Sequence, residues 1–321
     1  MSEVRAPFAL DLGAVPAALK GGTVAIGNFD GVHRGHQAVL SAAIAGPGPT
    51  LALTFEPHPR AYFGGKPIFR LTPPEQKGRV CEAFGLDGLV VARFDGGLAS
   101  LDATAFSQKV LCEALGAKHV AVGHDFKFGK GRSGNAESLT AIGAEKGFGV
   151  TVVPPFSGEE GGIVSSSRIR DCLGEGDAAG AAALLGYRYQ IASEVVHGKK
   201  RGRAMGYPTA NQNLAPENGL RQGIYAVRIK IDGVWRDGVA SFGRRPTFDN
   251  GPPVLETFVF DFDGDLYGQV LPVALYAFLR PELKFDGMDA LIAQMDEDSA
   301  NARAHLATVK PVSPLDAALN F

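Results

Sequence analysis

Cysteine is nearly absent: Cys81, Cys112 and Cys172 are the only three in 321 residues, odd in number and far apart. That usage argues against a disulfide framework or a zinc cluster. Cys81 and Cys112 fall in helical patterns and read as small core residues. No run approaches the roughly 18 apolar residues of a membrane span. Met1-Ser2-Glu3-Val4-Arg5 has neither the basic start nor the apolar stretch of a secretory signal. Neither sign of charge is in excess, since 32 Lys and Arg against 34 Asp and Glu leave a formal net charge of −2. Bulk attraction to nucleic acid or to a membrane is therefore not expected, and the expected address is the cytoplasm. A Walker A sequence is missing too, which excludes a P-loop kinase. There is no internal repeat and no low-complexity tract.

What is there is ordinary globular material, 45% apolar and 21% charged, in a chain long enough for two domains. The first half alternates short apolar runs with helical patterns. The runs are Thr23–Ile26, Leu51–Phe55, Gly88–Ala92, His119–Val122 and Val150–Val153, short and flanked by Gly or Pro as buried parallel strands are. Between them Ala105–Leu115 reads as a helix with Phe106, Val110, Leu111 and Leu115 on one face. This alternation predicts an α/β domain built on a doubly wound parallel sheet, with ligands at the carboxyl ends of its strands. Gly174–Leu185 reads as one Ala/Gly-rich helix closing that domain, so the boundary is expected at Gly186. From residue 187 to 321 the period falls to two, in Tyr225–Ile229, Val234–Arg236, Thr257–Phe260 and Leu271–Ala274. Asp232-Gly233 and Asp263-Gly264 punctuate these runs as turns. The second domain is expected to be an antiparallel barrel or sandwich. A C-terminal helix from about Met288 to His305 follows, with Leu291, Ile292, Met295 and Ala302 available for packing.

Two stretches carry chemistry. Gly27-Asn28-Phe29-Asp30-Gly31-Val32-His33-Arg34-Gly35-His36 lies where the first strand gives way to a helix. Its glycines let backbone approach a ligand, and a helix N-terminus offers N–H groups and partial positive charge to an anion. One histidine in a turn is commonly a surface residue; two of seven in this frame point to a phosphate. His58 and Arg60 leave the next strand placed to meet a nucleotide or an acceptor. The Gly123-His124-Asp125 turn falls at the same sheet edge. Ser165-Ser166-Ser167-Arg168 then opens a helix with hydroxyls and a guanidinium, a pyrophosphate clamp or else an ordinary cap with surface arginines. The second stretch runs from Gly198 to Asn211. Lys199–Arg203 alone would read as a solvated basic run or an RNA contact. The adjoining Gly206-Tyr207-Pro208-Thr209-Ala210-Asn211 carries no charge and is not explained that way. Thr209 and Asn211 oxygens, two residues apart in an extended segment, can point to one hard cation beside phosphate oxygens. The glycine-punctuated loop before them can then fold over an ATP tail.

The HxGH string resembles the nucleotidylyltransferase superfamily. GNFDGVHRGHQ is similar to the adenylyltransferase half of the bacterial bifunctional riboflavin kinase/FAD synthetase family. GYPTAN, with Gly243–Phe248, Leu255–Phe258 and Phe278–Pro281, resembles the riboflavin kinase half. The resemblance implies an HxGH domain over 1–186 and a kinase β-barrel over 187–321. It also implies riboflavin, FMN and ATP as the molecules bound, Mg²⁺ as cofactor, and FMN and FAD as products. His33 and His36 are then expected to bind the ATP phosphates and stabilise charge at the α-phosphorus, on a loop of Gly27, Asn28 and Phe29. Ser166, Ser167 and Arg168 would hold the leaving pyrophosphate, Ser167 standing where relatives commonly have Thr. His58, Arg60 and Asp125 are the expected flavin contacts of that domain. In the kinase half the resemblance implies ATP contacts at Gly198, Arg203 and Gly206, and Mg²⁺ ligands at Thr209 and Asn211. Glu256 corresponds to the base and Arg280 lies near the flavin. Ser241 departs from the family's Asn.

Two formal matches are set aside. Gly129–Gly134 fits GxGxxG, but the strand that should end in an acidic residue ends in Val153-Pro154-Pro155. Asp261–Asp265 resembles a calcium loop, but Leu266 and Pro272 stand where Gly and Glu are needed; it reads as a hairpin turn. Rival readings are an adenylyltransferase for another acceptor, such as nicotinate mononucleotide, and a flavin- or RNA-binding regulator. Oligomeric state is left open.

Overall fold

The computed structural model describes residues 8–158, 161–198, 207–244 and 252–321. The chain divides into two compact units, 1–166 and 167–321.

In the first unit the sheet strands are β1 (Ala9–Asp11), β2 (Thr23–Ile26), β3 (Thr50–Glu56), β4 (Gly88–Arg93), β5 (His119–Gly123) and β8 (Gly149–Val153). The two-residue strands β6 (Lys127–Phe128) and β7 (Gly134–Asn135) pair with each other. All six sheet strands are parallel, in the order β1-β4-β3-β2-β5-β8. One face of the sheet is apolar throughout: Val24, Ile26, Leu51, Leu53, Val90, Val120 and Val122 pack with Phe106, Val110, Leu111, Leu139 and Phe148. The strand order reverses between β2 and β5, so the loops leaving their carboxyl ends border a crevice where such sheets take ligands. One of those loops carries HxGH and the other Gly123-His124-Asp125. β1 is too short to signal itself in the sequence. The helix expected over Ala105–Leu115 is present, but only Ala103–Phe106 is α-helical; it runs into a π-helical stretch, Ser107–Ala114, and Leu115 N–H bonds the Val110 carbonyl five residues back. Cys81 is buried, whereas Cys112 is only half-buried. The GxGxxG string closes the β6–β7 hairpin and is not a strand-to-helix turn.

The second unit begins earlier than the change of rhythm near Gly186. The segment expected as one helix from Gly174 is two helices, Ser166–Glu175 and Ala178–Leu185. Gly176 breaks it with a φ of 82°, and Asp177 caps the second helix through Gly180 N–H at 2.8 Å. Both group with the barrel because Arg221 bonds the carbonyls of Leu173 (2.9 Å) and Glu175 (2.7 Å).

The barrel strands are β9 (Gln190–Val196), β10 (Thr209–Asn213), β11 (Gly223–Ile231), β12 (Val234–Gly243), β13 (Val254–Val259) and β14 (Val270–Arg280). They close in the order β10-β13-β12-β11-β14-β9, all antiparallel. Of the two expected arrangements, the barrel is the one formed. Asp232 and Gly233, with φ of 49° and 81°, make the tight β11–β12 turn. The second expected turn is corrected: β13 pairs with β10 and β12, never with β14. Asp261–Asp265 therefore belongs to a crossing connection, in which Asp261 takes both guanidinium nitrogens of Arg303 at 2.8 and 3.0 Å. Alternation along the strands sends Tyr225, Val227, Phe242, Leu255 and Leu275, all nearly fully buried, to the inside. The outer face is covered in part by the helix Met288–Leu306, whose Ala302 and Leu306 pack on Ala226, Val239 and Tyr276. Leu291, Ile292 and Met295 are only half-buried; the other buried member of that helix is Asp298. A further helix, Pro314–Asn320, follows.

Candidate active sites

The loop joining β2 to the helix Arg34–Ile44 is held in a costly conformation. Phe29 and Val32 have φ of 46° and 40°, unfavourable for an aromatic and worse for a β-branched residue. Neighbouring groups hold it there. Asp30 Oδ1 accepts from the backbone N–H of Leu71 (2.9 Å) and Thr72 (3.1 Å). Gly31 N–H donates to Thr72 Oγ1 at 2.8 Å. The Asp30 carbonyl accepts from Ser166 Oγ at 2.8 Å. The Asn28 carbonyl accepts from Thr54 Oγ1 at 2.9 Å and from Lys77 Nζ at 2.6 Å. Phe29 is buried, and a Cβ on Gly27 would come within 3.1 Å of its ring. A side chain at position 27 would therefore crowd that ring.

Both histidines belong to this loop. His33 is the helix N-cap, its Nδ1 accepting from His36 N–H at 3.2 Å. That bond requires Nδ1 to be unprotonated, so a neutral His33 carries its proton on Nε2. The two rings stack at 3.6 Å, 16° apart, and the Phe29 ring meets His36 edge-on at 5.4 Å. Burial pushes His33 down to about 4, against the opposing pull of the Asp30 and Asp125 carboxylates. Burial also holds His36 well below the ordinary imidazole range, helped by the positive charge of His33 and Lys77. At neutral pH the pair is therefore uncharged, two imidazoles able to donate without repelling each other. His36 Nδ1 is buried with no hydrogen-bond partner among the described residues.

The other expected residues are placed as follows. Ser166 reaches the loop through Asp30, and Ser167 and Arg168 follow it on the first turn of the helix Ser166–Glu175. Asp125 is exposed and near enough for its charge to act on His33. His58 is buried and caps the short helix Pro59–Gly64, its Nδ1 accepting from Arg60 N–H at 3.1 Å; Arg60 is exposed on that helix. Sequence reasoning missed Lys77, Thr54, Asp30 and Thr72. Lys77 had a readable signal, since it shares a helical stripe with Val80 and Cys81, both buried. A lysine on an apolar stripe is unusual.

In the second unit the barrel register gathers the expected kinase residues. Asn211 pairs with Glu256, Glu256 with Ser241, Ser241 with Ile224 and Ile224 with Arg280. Directly paired side chains share a face, with Cβ atoms about 5 Å apart, so Asn211, Glu256, Ser241 and Arg280 form one row on the outer surface. Thr209 lies on the same face, two residues before Asn211. Asn211 is buried, and its amide Nδ2 donates to the Thr209 carbonyl (3.0 Å) and Oγ1 (3.2 Å). A Cβ on Gly198 would come within 2.7 Å of Asn211 Oδ1, so glycine makes room there. A hydroxyl and an amide oxygen side by side are hard, neutral donors. That set fits a Mg²⁺ ion whose remaining ligands are nucleotide phosphates. Arg280 is held by Asp298, Nε to Oδ1 at 2.7 Å and Nη2 to Oδ2 at 2.6 Å. Tyr207 Oη likewise donates to Asp296 of the same helix. Arg203 and Gly206 lie outside the described residues, as do positions 245–251.

A FAD synthetase family model matches residues 15–168, and a riboflavin kinase model matches 185–306. A bifunctional riboflavin kinase/FMN adenylyltransferase of Listeria monocytogenes is 38% identical, covering 89% of this chain and 93% of its own. That of Escherichia coli K12 is also 38% identical, over 92% and 96%. A solved structure from Streptococcus pneumoniae, named a macrolide-efflux protein, shares the fold with a TM-score of 0.79. It is 30% identical and covers 92% of this chain and 99% of its own. Among the described residues no helix is long and apolar enough to cross a membrane. With an HxGH loop on the parallel sheet, the Asn211–Glu256 row on the barrel and relatives alike over nearly their whole length, the chain belongs to the bifunctional riboflavin kinase/FMN adenylyltransferase family.

Proposed function

We propose that two successive steps of flavin nucleotide synthesis are divided along the chain, adenylyl transfer to 1–186 and the kinase to 187–321. The chain phosphorylates riboflavin to FMN with ATP, then adenylylates FMN to FAD with a second ATP, releasing pyrophosphate. The observation that carries the division is the order of the family models, FAD synthetase over the HxGH unit and riboflavin kinase over the barrel. Segment 167–186 lies almost wholly between the two matches.

In adenylyl transfer an FMN phosphate oxygen attacks the α-phosphorus of ATP in line, and the bond to the β-phosphate oxygen breaks. No covalent intermediate is needed, so the protein's work is positioning and charge stabilisation. Neutral His33 and His36 donate to the ATP phosphates from the loop of Gly27, Asn28 and Phe29. Ser166, Ser167 and Arg168 take the departing pyrophosphate. His58, Arg60 and Asp125 face the flavin substrate.

In the kinase step Glu256 orients the ribityl hydroxyl and takes its proton as the oxygen attacks the γ-phosphorus, the bond to the β-phosphate oxygen breaks and ADP leaves. Gly198, Arg203 and Gly206 hold the ATP tail, and Arg280, steadied by Asp298, lies beside the flavin. Thr209 and Asn211 would hold Mg²⁺, which when bound neutralises charge on the transferring phosphoryl group. A cytoplasmic location fits the three free thiols.

Incubating the purified protein with riboflavin and Mg-ATP, and separating the flavins over time, tests this reading. FMN should rise first and FAD follow. Adenylylation of nicotinate mononucleotide without FAD would instead favour the other acceptor.

A further inference from the structure

Lys77 is fully buried on the helix Pro74–Phe84 and no step above uses it. Its ammonium donates to the Asn28 carbonyl at 2.6 Å and to Thr54 Oγ1 at 2.9 Å, while Thr54 Oγ1 donates to the same carbonyl. Asn28 directly precedes Phe29, the first of the loop's two non-glycine residues with positive φ. A buried charge is costly, and a merely structural donor here could be a neutral amide or hydroxyl.

We propose that Lys77 is a positioning residue for adenylyl transfer, clamping the Asn28 carbonyl so that the HxGH loop keeps its strained form and setting a fixed positive charge behind the nucleotide's phosphates. The proposal rests on the reading that this loop takes the ATP phosphates. The groups that act on Lys77 are the Asp30 and Glu56 carboxylates, the Arg70 guanidinium and the Cys81 thiol; Lys77 in turn acts on the His36 imidazole. Glu56 and Arg70 are ion-paired with each other, which leaves Asp30 as the chief counter-charge. Burial lowers Lys77 to about 8, so the free protein loses this charge in mild alkali. Bound polyphosphate favours the ammonium and so raises that value.

The test compares wild type, Lys77→Met and His36→Ala in both half-reactions from pH 7 to 9.5. Wild type should show KM for ATP in adenylylation climbing roughly tenfold above pH 8, with riboflavin phosphorylation as the control for ATP and Mg²⁺. Lys77→Met should start from the raised KM, lack the alkaline limb, and phosphorylate riboflavin normally. If His36→Ala keeps full adenylylation, the reading of the loop as the phosphate site falls. If His36→Ala loses it while Lys77→Met matches wild type at every pH, the Lys77 proposal alone falls. Should Lys77→Met not fold, NMR of the lysine ε-carbons in wild type decides. The titration near pH 8 should move upward on adding inorganic pyrophosphate, and an unmoved titration overturns the proposal.

Discussion

His33 combines three tasks in one imidazole: it caps a helix, stacks on His36 and stays neutral. Its folded value, about 4 against an ordinary 6.5, means the unfolded chain binds the extra proton between those values. The stability it contributes is therefore complete above pH 6.5 and is lost as pH falls through 4, a difference of about 3 kcal/mol. His33→Asn keeps a capping oxygen but does not titrate. Thermal melts of the first unit at pH 7 and 4.5 should show a larger acid-induced drop for wild type than for the Asn variant; equal drops would refute the buried, neutral His33. The residues legible in the sequence were those whose partners lie within a few positions: His33 with His36, Thr209 with Asn211. Lys77 was legible only as an unusual lysine on an apolar stripe; its contacts were not, because its partners Asn28 and Thr54 are far away in sequence and meet it only when β2, β3 and its helix pack together. Asp298 was hidden similarly: Arg280 explains its burial, and only the fold joins them.

At the scale of elements, the HxGH loop and the outer row of the barrel are both crowded at a glycine. Gly27→Ala drives a methyl to within 3.1 Å of the buried Phe29 ring, and such overpacking costs typically about 1–3 kcal/mol. Because Phe29 shapes the loop, the variant should melt lower in the first unit and lose FAD formation, with riboflavin phosphorylation intact. An unchanged melting point would mean the ring has space to move. On β10, Asn211→Ala removes one proposed metal ligand while keeping the register with Glu256. Metal titrations should show a raised Mg²⁺ requirement for FMN formation and none for adenylylation of supplied FMN; a wild-type curve would make Asn211 a spacer. Most strands of the parallel sheet and the barrel were readable from their periods, but β1 and β9 were not. The Asp261–Asp265 turn was misread, because Asp-Gly marks a reversal but not which strand lies next. The helix over 174–185 was misread because the stop at Gly176 and the cap at Asp177 are adjacent, leaving no loop between the two helices to mark the break.

At the scale of the molecule, the two chemistries proposed fall to separate halves of the chain, with FMN the product of one and the substrate of the other. The change from alternating α/β pattern to two-residue period announced both halves. The division at Ser166 did not show in the sequence, because it depends on Arg221 tying the intervening helices to the barrel. The central claim is that the sites are independent, and one pair of assays tests it most directly. Glu256→Gln keeps size and hydrogen bonding but accepts no proton, so FMN formation should fall about 10²–10⁴-fold. His36→Ala should lower adenylylation by roughly 10²-fold or more. Each variant is assayed twice on one preparation, started from riboflavin and from FMN. The account predicts a crossed result: Glu256→Gln fails from riboflavin yet converts supplied FMN to FAD, and His36→Ala accumulates FMN without FAD. Loss of both activities in either folded variant, or near-normal riboflavin phosphorylation by Glu256→Gln, would contradict it.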